Sequence, residues 1–184
     1  RYSSRRNVVY AKNGVCCTSV PLGAQVGLDV LKNGGNAVDA AVAMAGAMPL
    51  LEPTGNGLGS DCFALVWIEK EKKLYGLNAS GVAPMALSAD EVRAKGFSEV
   101  PEEGWIPTMV PGAPTGWAAL NRRFGTKPLS ELFAPAISYA ENGYAVPVNV
   151  GKLWARDSRR IARVMAQDPA PYEYWWKSFI KPDG

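Results

Sequence analysis

Few folds accommodate what residues Gly34 to Pro84 ask for in succession: a helix buried on every side, a glycine-rich loop, then two strands. Gly34 and Gly35 can hold the positive φ that ends a preceding helix. Asn36 is a good N-cap for the next one. Ala37 to Met48 is almost wholly small and apolar. A helix without a polar face is a buried helix, and small side chains let neighbouring backbones come close. Asp39 is the exception, placed in the first turn where a carboxylate suits the positive end of the helix dipole. Pro49 and Pro53 are expected to stop the helix.

The loop Gly55-Asn56-Gly57-Leu58-Gly59-Ser60-Asp61 follows, with glycines at alternate positions. This is not a dinucleotide fingerprint, which follows a strand and opens a helix; here a helix precedes and a strand follows. Its backbone N–H groups suit the lining of a substrate pocket; a tight helix-to-strand turn is the plainer alternative. Cys62 to Ile68 is an unbroken apolar run of strand length, which predicts a strand covered on both faces. Glu69 to Lys73 is a charged turn and Leu74 to Leu77 a returning strand, together an antiparallel hairpin.

Around this centre the chain reads mainly as helix. Gly14 to Ser19 is expected to be a short central strand. Pro21 opens a helix to about Asn33, with Leu22, Val26, Val30 and Leu31 on one stripe. Ser88-Ala89-Asp90-Glu91 fits a capping box that starts a short helix to about Lys95. Gly96 to Trp105 is an acidic surface loop, and Ile106 to Pro114 is extended and irregular. Thr115 or Gly116 to Phe124 forms a helix ended by Gly125, with Trp117 in the core. Leu129 to Asn142 is a helix broken or kinked near Pro135, with Gly143 as its stop. Val146 to about Gln167 is helical, and its Arg156, Arg159, Arg160 and Arg163 read as a solvated face. The dense aromatics Tyr172, Tyr174, Trp175, Trp176 and Phe179 are expected to bury against something outside these residues.

Composition narrows the function. The 184 residues are 47% apolar and 20% charged, ordinary for a globular chain. A net charge of +3 does not argue for nucleic acid. No apolar run approaches the roughly 18 residues of a membrane span. Residues 1 to 13 are polar and basic, without the apolar core of a signal peptide. Cys16, Cys17 and Cys62 are expected to pack as buried apolar groups rather than to bridge, which favours a cytoplasmic over a secreted or periplasmic setting. The chain has no histidine. That removes Ser-His-Asp and Cys-His chemistry and His-ligated metals from these residues taken alone.

The run Gly34-Gly35-Asn36-Ala37-Val38-Asp39-Ala40-Ala41-Val42-Ala43 resembles the γ-glutamyltranspeptidase family, including its acylase-like members. So do Glu52-Pro53, Gly57-Leu58-Gly59 and Phe63-Ala64-Leu65-Val66. Val110-Pro111-Gly112, Gly116-Trp117, Arg123-Phe124-Gly125 and Leu132-Phe133-Ala134-Pro135-Ala136 continue the match in the same order. The resemblance implies an α+β fold, the N-terminal part of a four-layer αββα sandwich of the N-terminal-nucleophile hydrolase type. Residues 1–184 would then be a single-domain portion of the large subunit. It implies a precursor that cuts itself, and an amide hydrolase or acyltransferase whose nucleophile is the N-terminal threonine of a small subunit, outside these residues, with its own α-amino group as base. It implies no cofactor and no catalytic residue within this chain. Its partners would be the remainder of the same precursor and a small-molecule amide, with room for a homo-oligomer and no nucleic acid or membrane. Family transpeptidases carry an arginine that grips the substrate's α-carboxylate, and by position it falls on Ser80; an acylase-like branch carries one at Val82. Neither is present, and residues 74 to 92 contain no arginine. A bidentate guanidinium is not replaced by a hydroxyl or an isopropyl group, so the resemblance implies an acyl group other than γ-glutamyl. Ser80, Asn78, Asp61 and Gly59 are the candidate substrate contacts. A non-catalytic binding or assembly protein on the same fold is the alternative.

Overall fold

The computed structural model describes residues 8–180. Expectations that touch residues 1–7 and 181–184 lie outside the described residues.

Helix α1 spans Pro21–Lys32, with proline at its first position, where a missing N–H costs nothing. Asn33 and Gly34 close it, Gly34 at φ +81°. Helix α2, Ala37–Leu51, starts with a complete capping box. Asp39 N donates to Asn36 Oδ1 and Asn36 N donates to Asp39 Oδ2, each at 2.9 Å. The two helices pack closely because α1 presents glycine to α2: a Cβ at Gly27 would lie 2.7 Å from Met44 Sδ. Strand β1, Cys62–Ile68, pairs antiparallel with β2, Lys73–Ala79, in the register Cys62↔Ala79 to Ile68↔Lys73. The turn between them holds a 3₁₀ segment, Glu69–Glu71, and Lys72 at φ 50°. Helices α3 (Ala89–Ala94), α4 (Ala113–Phe124), α5 (Leu129–Asn142), α6 (Val148–Met165) and α7 (Glu173–Phe179) complete the described chain.

The core forms where α2 meets α4, α5 and one face of the hairpin. Val42, Ala43, Ala47 and Leu51 of α2, Trp117 and Leu120 of α4 and Leu132 of α5 are buried together, with Cys62, Ala64, Val66 and Leu77 packed against them. Trp117 meets Phe133 edge-on, ring centroids 6.1 Å apart.

Several expectations are corrected. Residues 14–19 are extended but belong to no strand. Cys16 and Thr18 are half-buried and Val20 buried while their neighbours face out. That is a strand's alternation without a hydrogen-bonded neighbour among the described residues, and a ladder needs two members. Strand β1 is covered on one face, not two: Phe63, Leu65 and Trp67 are 65%, 78% and 54% exposed. Its apolar run is therefore an inner row and an outer row, and the outer row has no cover among the described residues. Pro49 does not stop α2, which runs on to Leu51 and closes with Glu52 N donating to Met48 O. A proline loses one N–H, and one turn from a helix end that loss is small. Likewise α5 is a single helix through Pro135. Helix α4 begins earlier than expected, at Ala113, because Pro114 fits its first turn. Cys17 is exposed rather than buried, and all three cysteines are free. The C-terminal aromatics find partners inside the chain: Phe179 packs edge-on against Trp154, ring centroids 5.9 Å apart, and at a tilt against Trp175 at 5.5 Å. Tyr174 remains 73% exposed.

Candidate functional site

The hairpin register decides where the sequence-derived candidates go. Phe63 pairs with Asn78 and Cys62 with Ala79, so Asp61 enters β1 beside the point where Ser80 leaves β2. Side chains alternate along a strand. Phe63, Leu65 and Trp67 therefore share the outer face with Leu74, Gly76 and Asn78, and Asp61 and Ser80 lie one residue beyond the paired strands at the same end. Three of the four candidates, Asp61, Asn78 and Ser80, thus fall at or just past one end of the hairpin. Gly59 lies on the loop that leads into it. A shallow cavity of about 450 Å³ runs over this face, lined by Phe63, Leu65, Gly76 and Asn78 among others.

Local hydrogen bonds already engage two of these groups. Ser80 N donates to Asn78 Oδ1 at 3.0 Å, an Asx turn, and Ser80 Oγ donates to Gly81 O at 3.4 Å. The Asp61 carboxylate is exposed and meets no donor among the described residues.

A second strap of backbone closes the same end. Val110 N donates to Val82 O at 3.0 Å, and Gly112 N and Ala113 N donate to Ser60 O at 3.3 and 2.8 Å. Side chains have no room at this crossing. A Cβ at Gly81 would lie 2.0 Å from Val110 O, and one at Gly112 would lie 2.1 Å from Ala79 O. Gly81 also holds φ +78°, a conformation that L side chains rarely adopt. Residues 59–61, 78–82 and 110–113 thus form one clasp around the end of the hairpin.

Through Asn56, Gly57 and Leu58 the glycine loop also walls a larger apolar cavity of about 590 Å³, with Pro49, Trp117, Phe133 and Phe179 among its other walls. Burial pushes the Cys62 thiol above its ordinary pKa, so it stays protonated and apolar beneath the hairpin. Among the described residues no group of three His, Cys, Asp or Glu side chains could hold a metal ion.

Sequence reasoning placed Asp39 in a helix first turn and stopped there. Asp39 is fully buried. Besides capping α2 it accepts from Thr126 N at 2.9 Å, Lys127 N at 3.3 Å and the Thr126 hydroxyl. Asn36 Nδ2 donates to Phe124 O at 2.6 Å. The N-terminus of α2 therefore grips the α4–α5 corner. Burial pushes the Asp39 pKa up, but the hydrogen bonds from Thr126, Asn36 and Lys127 outweigh it and hold it below the ordinary value. The capping box was legible in the residues; Thr126, 87 positions away, carried no signal.

A helix-backed hairpin fed by a glycine loop and clasped at its open end is α+β architecture of the kind found in transpeptidases and acylases with an N-terminal nucleophile. It superposes on the cephalosporin acylase from Bacillus halodurans with a TM-score of 0.90 and 53% identity, covering 97% of this chain and 33% of that one. On the Helicobacter pylori γ-glutamyltranspeptidase the TM-score is 0.78 with 31% identity, over 85% of this chain and 46% of that one. The glutathione hydrolase proenzyme of Bacillus subtilis (strain 168) is 31% identical over 172 residues, 91% of this chain and 29% of that protein. The family model for γ-glutamyltranspeptidase matches residues 23–184. The chain belongs to the γ-glutamyltranspeptidase family. It spans less than a third of the length of the curated relatives it matches.

Proposed function

We propose that residues 1–184 are the N-terminal portion of the large subunit of a self-processing amide hydrolase or acyltransferase. The observation that carries this reading is the 53% identity and 0.90 TM-score to a cephalosporin acylase over nearly the whole chain. Two relatives named as proenzymes support a precursor that matures by cleavage. The nucleophile is a threonine exposed by that cleavage, outside these residues; its α-amino group takes the hydroxyl proton as it attacks the amide carbonyl. The clasp at the hairpin end supplies substrate contacts from Ser80, Asn78, Asp61 and Gly59.

The same site sets the acyl preference. With Ser80 and Val82 where the family places its arginines, and no arginine from 74 to 92, nothing in this segment forms a bidentate pair with an α-carboxylate. The favoured acyl group is one without that carboxylate.

Denaturing intact mass of the full-length native protein, with N-terminal sequencing of each chain, tests the processing. A second chain beginning with threonine is expected. A single uncut chain overturns it and favours a non-catalytic relative on the same fold.

A further inference from the structure

Glu52 sits where α2 ends and the glycine loop begins. Its carbonyl oxygen accepts from Gly55 N and Asn56 N, both at 3.1 Å. Its carboxylate Oε2 accepts from Asn56 Nδ2 at 3.1 Å and from Ser19 Oγ at 2.5 Å. One residue thereby ties together the extended segment before α1, the end of α2 and the root of the loop. Farther along, the N–H groups of Gly57, Leu58 and Gly59 meet no acceptor among the described residues. A Cβ at Gly55 or Gly59 would meet nothing within 4 Å, and none of the loop's three glycines holds a positive φ. Within the described residues, neither crowding nor backbone conformation asks for glycine at 55 or 59. At Gly59 a free donor and open space around the missing side chain coincide, and bare backbone of that kind is suited to close approach by another molecule.

We propose that Glu52 is a positioning residue that holds the glycine loop so that the N–H groups of residues 57–59 face an oxygen of the amide substrate. This rests on the reading of the chain as part of an amide-cleaving enzyme. A loop with three glycines has much conformational freedom to lose, and the Glu52 carboxylate removes part of that freedom before substrate arrives. The oxygen meant is one away from the reacting carbonyl, held equally in ground and transition state, so loosening the loop penalises binding rather than chemistry.

The test uses the full-length, self-processed enzyme and a chromogenic p-nitroanilide amide that the wild type turns over. Losing hydrogen bonds to a carboxylate at Glu52→Ala is expected to raise KM about tenfold. The turnover number should stay within about threefold of wild type. Glu52→Gln keeps an acceptor oxygen for both donors and is expected to recover most of the KM loss. If Glu52→Ala does not fold, Asn56→Ala removes the bond on the loop side and should raise KM alone. Unchanged KM in Glu52→Ala or Asn56→Ala overturns the proposal. So does a fall in kcat at constant KM, or a glutamine variant no better than alanine. A wild-type enzyme that cleaves no amide sinks the underlying reading and the proposal together; turnover with an unmoved KM sinks the proposal alone.

Discussion

Asp39 is the residue on which the helical half of the fold turns. Its carboxylate serves two turns of chain at once, the start of α2 and the corner at Thr126 and Lys127. Asp39→Ala would leave those buried donors without an acceptor, and is expected to cost about 3 kcal/mol in urea denaturation. The sign of its pH dependence follows from the lowered pKa. Stability from this group is intact above the ordinary carboxyl value of 3.8 and is lost as pH falls below it. Acid titration of stability should therefore drop below about pH 4 in the wild type and drop less in Asp39→Ala. Half of this arrangement was legible, since Asn36 and Asp39 stand at capping-box spacing. The other half depends on which loop the tertiary fold brings to the helix, and residue types alone do not specify that.

At the scale of elements, backbone crossings rather than side chains build the clasp. Gly112→Ala drives a methyl group into the Ala79 carbonyl, and is expected to cost about 3 kcal/mol or more and to detach residues 110–113 from the hairpin. Gly59→Ala makes the opposite case. Open space surrounds it, so thermal stability should hold within about 1 °C, while KM for the amide substrate rises if Gly59 contacts it. Equal KM in wild type and Gly59→Ala would remove Gly59 from the site. Helix positions, the hairpin and its turn were readable from periodicity and punctuation. Two prolines misled in the same way: Pro49 and Pro135 sit inside continuous helices, because packing on the core offsets one missing hydrogen bond. The clasp was unreadable because it joins residues 60, 81 and 112, which share no periodic pattern.

For the whole molecule, the outer face of the hairpin matters most. Phe63, Leu65, Trp67 and Leu74 are each more than half exposed, and both strand edges are open among the described residues. Such a face and such edges favour association. Residues 1–184 expressed alone are expected to self-associate in sedimentation velocity, and Leu65→Lys with Trp67→Lys should shift them toward monomer. The expectation of a strand covered on both faces erred for a related reason: an apolar run records what a strand meets in the complete protein. We propose an amide-cleaving enzyme that does not grip an α-carboxylate. Its most direct test compares kcat/KM of the full-length processed enzyme on γ-glutamyl-p-nitroanilide and on 4-aminobutyryl-p-nitroanilide, which differs only in lacking the α-carboxylate. Equal or better use of the 4-aminobutyryl compound is the predicted result. A preference for the γ-glutamyl compound of about a hundredfold, the scale of a bidentate arginine–carboxylate pair, would contradict it.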